Sequence, residues 1–192
     1  YRNGHESFDE IINALEKYNP EFVFIGAGDV LIPTVETGSV QSCLYLAKKI
    51  KSMDPKINCI GYGFLLRDFR VEDNKCLDAV IVGEGENQCV EVVEGGKRGI
   101  LEMKWTENMD ALPILTSDYL YHKPQQEDWD YIMSMRGCMN RCTFCLQPSL
   151  RKGLVSKMSA PRFIDEIKYR MEHFGTIGFY FLDMIFLPDS SS

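Results

Sequence analysis

Three short, almost wholly apolar runs each end on glycine, and this pattern leaves the chain few folds. They are Phe22-Val23-Phe24-Ile25-Gly26, Ile57-Asn58-Cys59-Ile60-Gly61 and Ala79-Val80-Ile81-Val82-Gly83. A strand with one wet face alternates apolar and polar residues, whereas a strand buried on both faces does not. Helical patterns lie between the runs. Ser7-Phe8-Asp9-Glu10 is a capping box, followed by a stripe of Phe8, Ile11, Ile12, Leu15 and Tyr18 that stops at Asn19-Pro20. A second helix is expected over about Ser39 to Lys51, and a third from Glu86 to about Glu94. Doubly buried strands joined by helices predict an α/β fold with a doubly wound parallel sheet of Rossmann type. Ligands of such sheets sit at the carboxyl ends of the strands. The glycines there, Gly26, Gly28, Gly61, Gly63, Gly83 and Gly85, are candidates for close approach to a ligand or simply for tight turns. None forms G-x-G-x-x-G, so no nicotinamide or flavin site is expected.

The second constraint is chemical. Cys138-Met139-Asn140-Arg141-Cys142-Thr143-Phe144-Cys145 places three thiols at C-x3-C-x2-C spacing. Three is one too few for a closed tetrahedral zinc site and one too few for a four-cysteine iron–sulfur cluster. A cubane held by three thiolates leaves one iron open. His5, His122 and His173 stand at no zinc-finger spacing from the triplet. The total of seven cysteines is odd, which argues against a disulfide framework. Tyr131 to Met135 is expected as a strand that feeds the cysteine loop. A helix over about Pro161 to His173, with Ser159 near its cap and Gly175 as its stop, leads to a second parallel strand over Ile177 to Leu182.

Composition excludes several classes. With 192 residues and 45% hydrophobic content, the chain can build one or two domains with proper cores. A net charge of −7 argues against binding nucleic acid through its phosphates. No apolar run approaches the roughly 20 residues of a membrane helix, so no membrane partner is expected. Unpaired thiols and no secretory signal at Tyr1-Arg2-Asn3-Gly4-His5 point to the cytoplasm.

The cysteine spacing, its preceding strand and Phe144 together resemble the signature of the radical S-adenosylmethionine enzymes. That resemblance implies a [4Fe–4S] cluster on Cys138, Cys142 and Cys145, with S-adenosylmethionine on the open iron. It also implies that Phe144 faces the adenine. Arg136 would neutralise a cluster sulfur or the cofactor's carboxylate, or form a surface ion pair. The segment Phe181-Leu182-Asp183-Met184-Ile185-Phe186 is similar to the family's F-x-D-D-x-F strand end, which helps hold the methionine portion; Asp183 reads equally as a turn residue. Arg151-Lys152 reads as a solvated pair or as a face toward cofactor or reductant.

The segment Asp78-Ala79-Val80-Ile81-Val82-Gly83-Glu84-Gly85-Glu86 resembles the D-x-V-x-x-G-E-G-E stretch of the subgroup with a cobalamin-binding domain, and Asp110-Ala111-Leu112-Pro113 its D-x-L-P linker. The D-x-H-x-x-G motif that supplies a cobalt-ligating histidine is absent. The resemblance implies a cobalamin-binding-like domain over residues 1–98, incomplete at its start, and a linker over 99–128. The first β-α-β part of a (β/α) barrel would then occupy 129–192, incomplete at its end. Trp105 and Trp129 are expected to pack the two segments together.

The implied activity is reductive cleavage of S-adenosylmethionine, with cobalamin-dependent methyl transfer as the leading reading. A radical cyclase or rearrangement enzyme, or a truncated non-catalytic metal-binding module, are the alternatives. A methylthiotransferase would need a second cluster before residue 129, yet Cys43, Cys59, Cys76 and Cys89 are scattered at apolar positions. The implied reductant is a flavodoxin or ferredoxin. The substrate, a small molecule or a peptide, is not named by these residues, and no catalytic side chain is assigned.

Overall fold

The computed structural model describes residues 8–27, 39–66, 75–102, 104–114, 129–145 and 147–186. Ser7, Gly28 and half of the expected linker lie outside the described residues. Two compact units result, 1–105 and 106–192.

The first unit follows the apolar runs. Helix α1 (Phe8–Tyr18) ends at Asn19, whose φ of 44° and amide bond to the Leu15 carbonyl close the helix before Pro20. Strand β1 (Phe22–Gly26) leads to helix α2 (Val40–Met53). The Ser39 side chain caps α2 by accepting from the Ser42 amide at 3.0 Å. Strand β2 (Asn58–Tyr62), strand β3 (Ala79–Ile81), helix α3 (Glu86–Val93) and strand β4 (Gly99–Leu101) follow. The strands form one parallel sheet in the order β1-β2-β3-β4. Strand β4 falls inside the stretch expected as linker, so the sheet takes in its first residues.

Both faces of the sheet are covered. Cys59 and Val80 join Ile25, Cys43, Leu44, Ala47 and Ile50 in one core cluster, on the α2 side. Their neighbours Ile60, Ala79 and Ile81 point the other way and join Val92 of α3 and Leu101. The period of two along each strand thus meets a helix on either side. Each fully buried Val or Ile contributes about 1.5–3 kcal/mol, which explains why these strands need no polar positions. The strand order runs without reversal among the described residues, so the crevice that a topological switch point opens is not found among them.

The second unit has its own logic. Strands β5 (Trp129–Ile132) and β8 (Gly178–Phe181) pair in parallel, joined through helix α5 (Ala160–Phe174). Between them, strand β6 (Met135–Arg136) pairs antiparallel with β7 (Ser156–Lys157), and the short helix α4 (Gln147–Arg151) lies in the excursion that separates them. Helix α5 begins at Ser159, which accepts from the Arg162 amide, and ends at Gly175 with φ 67°. The ion pair of Arg170 with Asp130 at 2.7 Å fastens it to β5, and within the helix Glu166 accepts from Arg162 at 2.8 Å and from Arg170 at 2.9 Å. Each tryptophan finds a ring partner within its own unit. Trp105 stacks on Phe64 at 5.6 Å and Trp129 packs on Tyr180 at 4.9 Å.

Candidate metal and cofactor site

The cysteine loop leaves β6 at Arg136 and returns at Ser156, directly opposite in the ladder. Its ends are therefore held together by backbone pairing, strengthened where the Met158 amide donates to the Ser134 carbonyl at 2.8 Å. Between them Cys138 is half-buried and Cys142 and Cys145 are exposed, all three as free thiols. The Cys145 amide donates to the Cys142 carbonyl at 3.1 Å, so the last two cysteines flank one turn. The Asn140 amide donates to the Cys138 sulfur at 3.4 Å. Phe144, at the tip of that turn, is 91% exposed. Arg136 is half-buried within β6.

Among the described residues no group of three His, Cys, Asp or Glu side chains is drawn together tightly enough for a single metal ion. A mononuclear zinc would need each sulfur at about 2.3 Å from one ion. A cubane instead spreads its cysteines over separate irons. The donor set is sulfur only, and it sits on an exposed turn with anchored ends. Sulfur donors suit zinc and iron–sulfur groups alike, and the three thiols here match the number that a cubane with one open iron would use.

Gly137 shows how closely the loop is seated. Its φ is 91°, which disfavours any side chain, and a Cβ there would overlap the Leu154 carbonyl oxygen. The same Cβ would come within 3.2 Å of the Arg151 side chain. Arg151 is 1% exposed and donates from Nη2 to Ser156 Oγ at 2.8 Å. The sequence reading of Arg151-Lys152 as a solvated pair holds for Lys152, which is exposed, and not for Arg151. Local pattern gave no hint of this, because the Ser156 partner and the Gly137 contact are set by the β6–β7 pairing.

Asp183 follows β8, and its carboxylate is occupied by the chain itself. It accepts from the Ser134 amide at 3.0 Å, the Ser134 hydroxyl at 2.6 Å and the Met135 amide at 2.7 Å. Asp183 thus fixes the step from β5 into β6 that launches the cysteine loop. Asp110 of the D-x-L-P stretch has a comparable task. It accepts from the Ser159 amide at 2.7 Å, while Arg162 donates to the Leu112 carbonyl at 3.1 Å, so the stretch seats the start of α5. The Ser159 backbone bond holds the Asp110 carboxyl below its usual range.

In the first unit the parallel register brings Gly26, Gly63 and Gly83 to the same edge of the sheet, at the carboxyl ends of β1, β2 and β3. Gly63 and Gly83 take φ values of 129° and 88°, and the Gly63 amide donates to the Ile81 carbonyl at 3.1 Å. Other candidates serve packing. A Cβ on Gly61 would lie 3.0 Å from both Leu66 and Leu77, so this glycine makes room for the core. Gly26 lies under the Tyr62 ring and Gly85 against the Cys89 sulfur, with 3.2 Å and 3.4 Å for an added Cβ. Asp78, which opens the D-x-V-x-x-G-E-G-E stretch, sits at the opposite, amino end of β3. It pairs with Lys51 at 2.7 Å and accepts from the Cys59 amide at 2.7 Å. The remaining cysteines are poor ligands. Burial pushes the Cys43 and Cys59 thiols up to about 11 and raises those of Cys76 and Cys89.

No protein-family model matches the chain. It is 25% identical, over 94% of its length, to an uncharacterized methyltransferase of Pyrococcus horikoshii, covering 43% of that protein. It is 41% identical over 54 residues to the ribosomal protein uS12 methylthiotransferase RimO of Zymomonas mobilis, which is 25% of this chain and 12% of RimO. Its fold is similar to that of the radical S-adenosylmethionine methyltransferase TsrM from Kitasatospora setae, whose structure holds tryptophan substrate and an S-adenosylmethionine analogue. The TM-score is 0.57 at 14% identity, over 85% of this chain and 38% of TsrM. The chain thus spans less than half the length of each of these relatives.

Proposed function

We propose that this chain belongs to the radical S-adenosylmethionine superfamily and forms the cofactor-holding part of a cobalamin-dependent methyltransferase. The observation that carries the reading is the cysteine loop: three free thiols on an exposed excursion whose two ends are locked by the β6–β7 ladder. When bound, a [4Fe–4S] cluster supplies the electron that cleaves S-adenosylmethionine, and cobalamin supplies the methyl group.

The chain's own residues have defined tasks. Cys138, Cys142 and Cys145 hold the cluster as thiolates. Phe144, exposed beside Cys145, offers its face to the adenine. Arg136 sits two residues before Cys138 and balances negative charge at the loop. Asp183 positions the loop through Ser134 and Met135. Gly26, Gly63 and Gly83 form the edge that admits cobalamin; Gly61 and Gly85 support that edge from within. The buried, protonated thiols of Cys43 and Cys59 have little ligand character, which favours methyl over methylthio transfer. Free thiols also suit a reducing cytoplasm with a flavodoxin or ferredoxin as electron donor. No helix among the described residues is long and apolar enough to cross a membrane.

The test is assay of the anaerobically reconstituted chain for 5′-deoxyadenosine release, with cobalamin titration followed by absorbance. Nucleoside release and saturable cobalamin uptake support the proposal. Release without cobalamin uptake favours a radical enzyme of another kind, and neither result leaves a metal-binding module.

A further inference from the structure

Helix α4 carries two polar side chains into the interior beside the cysteine loop. Gln147 is 4% exposed and Arg151 1%. Four residues apart on a helix, they share one face. Arg151 Cδ and Nε lie 3.2 Å from the position a Cβ would take on Gly137, the residue before Cys138. The helix itself begins two residues after Cys145. One face of α4 thus meets the residue before the triplet, and the helix starts two residues after it. Withdrawing a guanidinium from water costs several kcal/mol, so for folding alone an apolar residue would serve as well. Gln147 adds an independent observation: both its Oε1 and Nε2 are buried, with no hydrogen-bond partner among the described residues. A buried amide left so costs about 1–3 kcal/mol, and buried polar groups almost always have partners.

We propose that this face of α4 is the floor of the cysteine loop. Arg151 is a positioning residue that fixes Gly137, and with it Cys138, against β7. The Gln147 amide donates from Nε2 to a sulfur of the group that the loop holds. The Gln147 part rests on the cluster reading given above; the Arg151 part does not.

Two variants of the whole chain separate these parts. Arg151→Met keeps bulk and removes the bond to Ser156. In the metal-free protein it should speed amide hydrogen exchange over residues 137–145 by about tenfold, with exchange in β1–β3 unchanged and Arg151→Lys restoring part of the protection. Unchanged exchange in the loop overturns the positioning role. Gln147→Met removes the unsatisfied amide, so the metal-free protein should melt at the same or a higher temperature. After reconstitution its cluster should reduce at a more negative potential, because a hydrogen bond to sulfur is gone. It should also lose iron to a chelator about 10- to 100-fold faster than wild type. A lower melting temperature with unchanged potential and iron loss overturns the Gln147 role. If wild type itself takes up no iron and sulfide, the cluster reading and the Gln147 role fall together, and the exchange result for Arg151 is unaffected.

Discussion

The two units use the same residue for opposite purposes. In the first, Cys43 and Cys59 are closed inside an apolar cluster, where burial pushes their thiols up to about 11. In the second, Cys142 and Cys145 stand exposed on a turn. Glycine divides in the same way. Gly61 clears space for Leu66 and Leu77, whereas Gly137 lets the loop descend onto Arg151 and Leu154. Residue type therefore says little until burial is known: a cysteine in a core packs, and a cysteine on an anchored, open loop is available for chemistry.

The sharpest break in this comparison is Cys142→Ala. It should abolish cluster assembly, read as iron and sulfide per chain, while the far-ultraviolet circular dichroism and thermal transition of the β1–β4 sheet stay as they are. The mirror experiment is Cys59→Ser, which places a hydroxyl in an apolar cluster. It should cost about 1–3 kcal/mol in urea unfolding and leave iron content untouched. If iron were lost in Cys59→Ser and kept in Cys142→Ala, the roles assigned to the two sets would be reversed.

Larger than either in its effect on stability is Glu166→Ala. It strands Arg162 and Arg170 without their shared carboxylate and should cost about 3–5 kcal/mol. The loss belongs to the second unit, so proteolysis between 106 and 192 should increase more than within the sheet. A further effect is alkaline. The folded pKa values of Cys43 and Cys59 lie above the ordinary value of 9.0, at about 11. Folding then keeps protons that the unfolded chain releases. Their stabilisation is complete below pH 9 and declines as pH rises toward 11. The urea midpoint should fall across that window, and less steeply in Cys43→Ala.

Much of this was legible in the sequence for a physical reason. Strands buried on both faces must be apolar throughout, so β1, β2 and β3 declared themselves, and Asn19-Pro20, Ser39, Ser159 and Gly175 mark helix ends by local chemistry. The cysteine spacing is local too. What stayed hidden depends on partners far along the chain. Asp183 meets Ser134 and Met135 across the β5–β8 pairing, Asp110 meets Ser159, and Arg151 is buried by the return of β7. Gly61 reads as a ligand-approach or a turn glycine, and nothing local signals that Leu66 and Leu77 would lie 3.0 Å from a Cβ there.

The central claim is that the cysteine loop holds a cluster with an open iron. Electron paramagnetic resonance of the anaerobically reconstituted and reduced chain, with and without S-adenosylmethionine, tests it most directly. A [4Fe–4S]⁺ spectrum that changes on adding S-adenosylmethionine is the predicted result. No cluster signal, or one indifferent to S-adenosylmethionine, would contradict it.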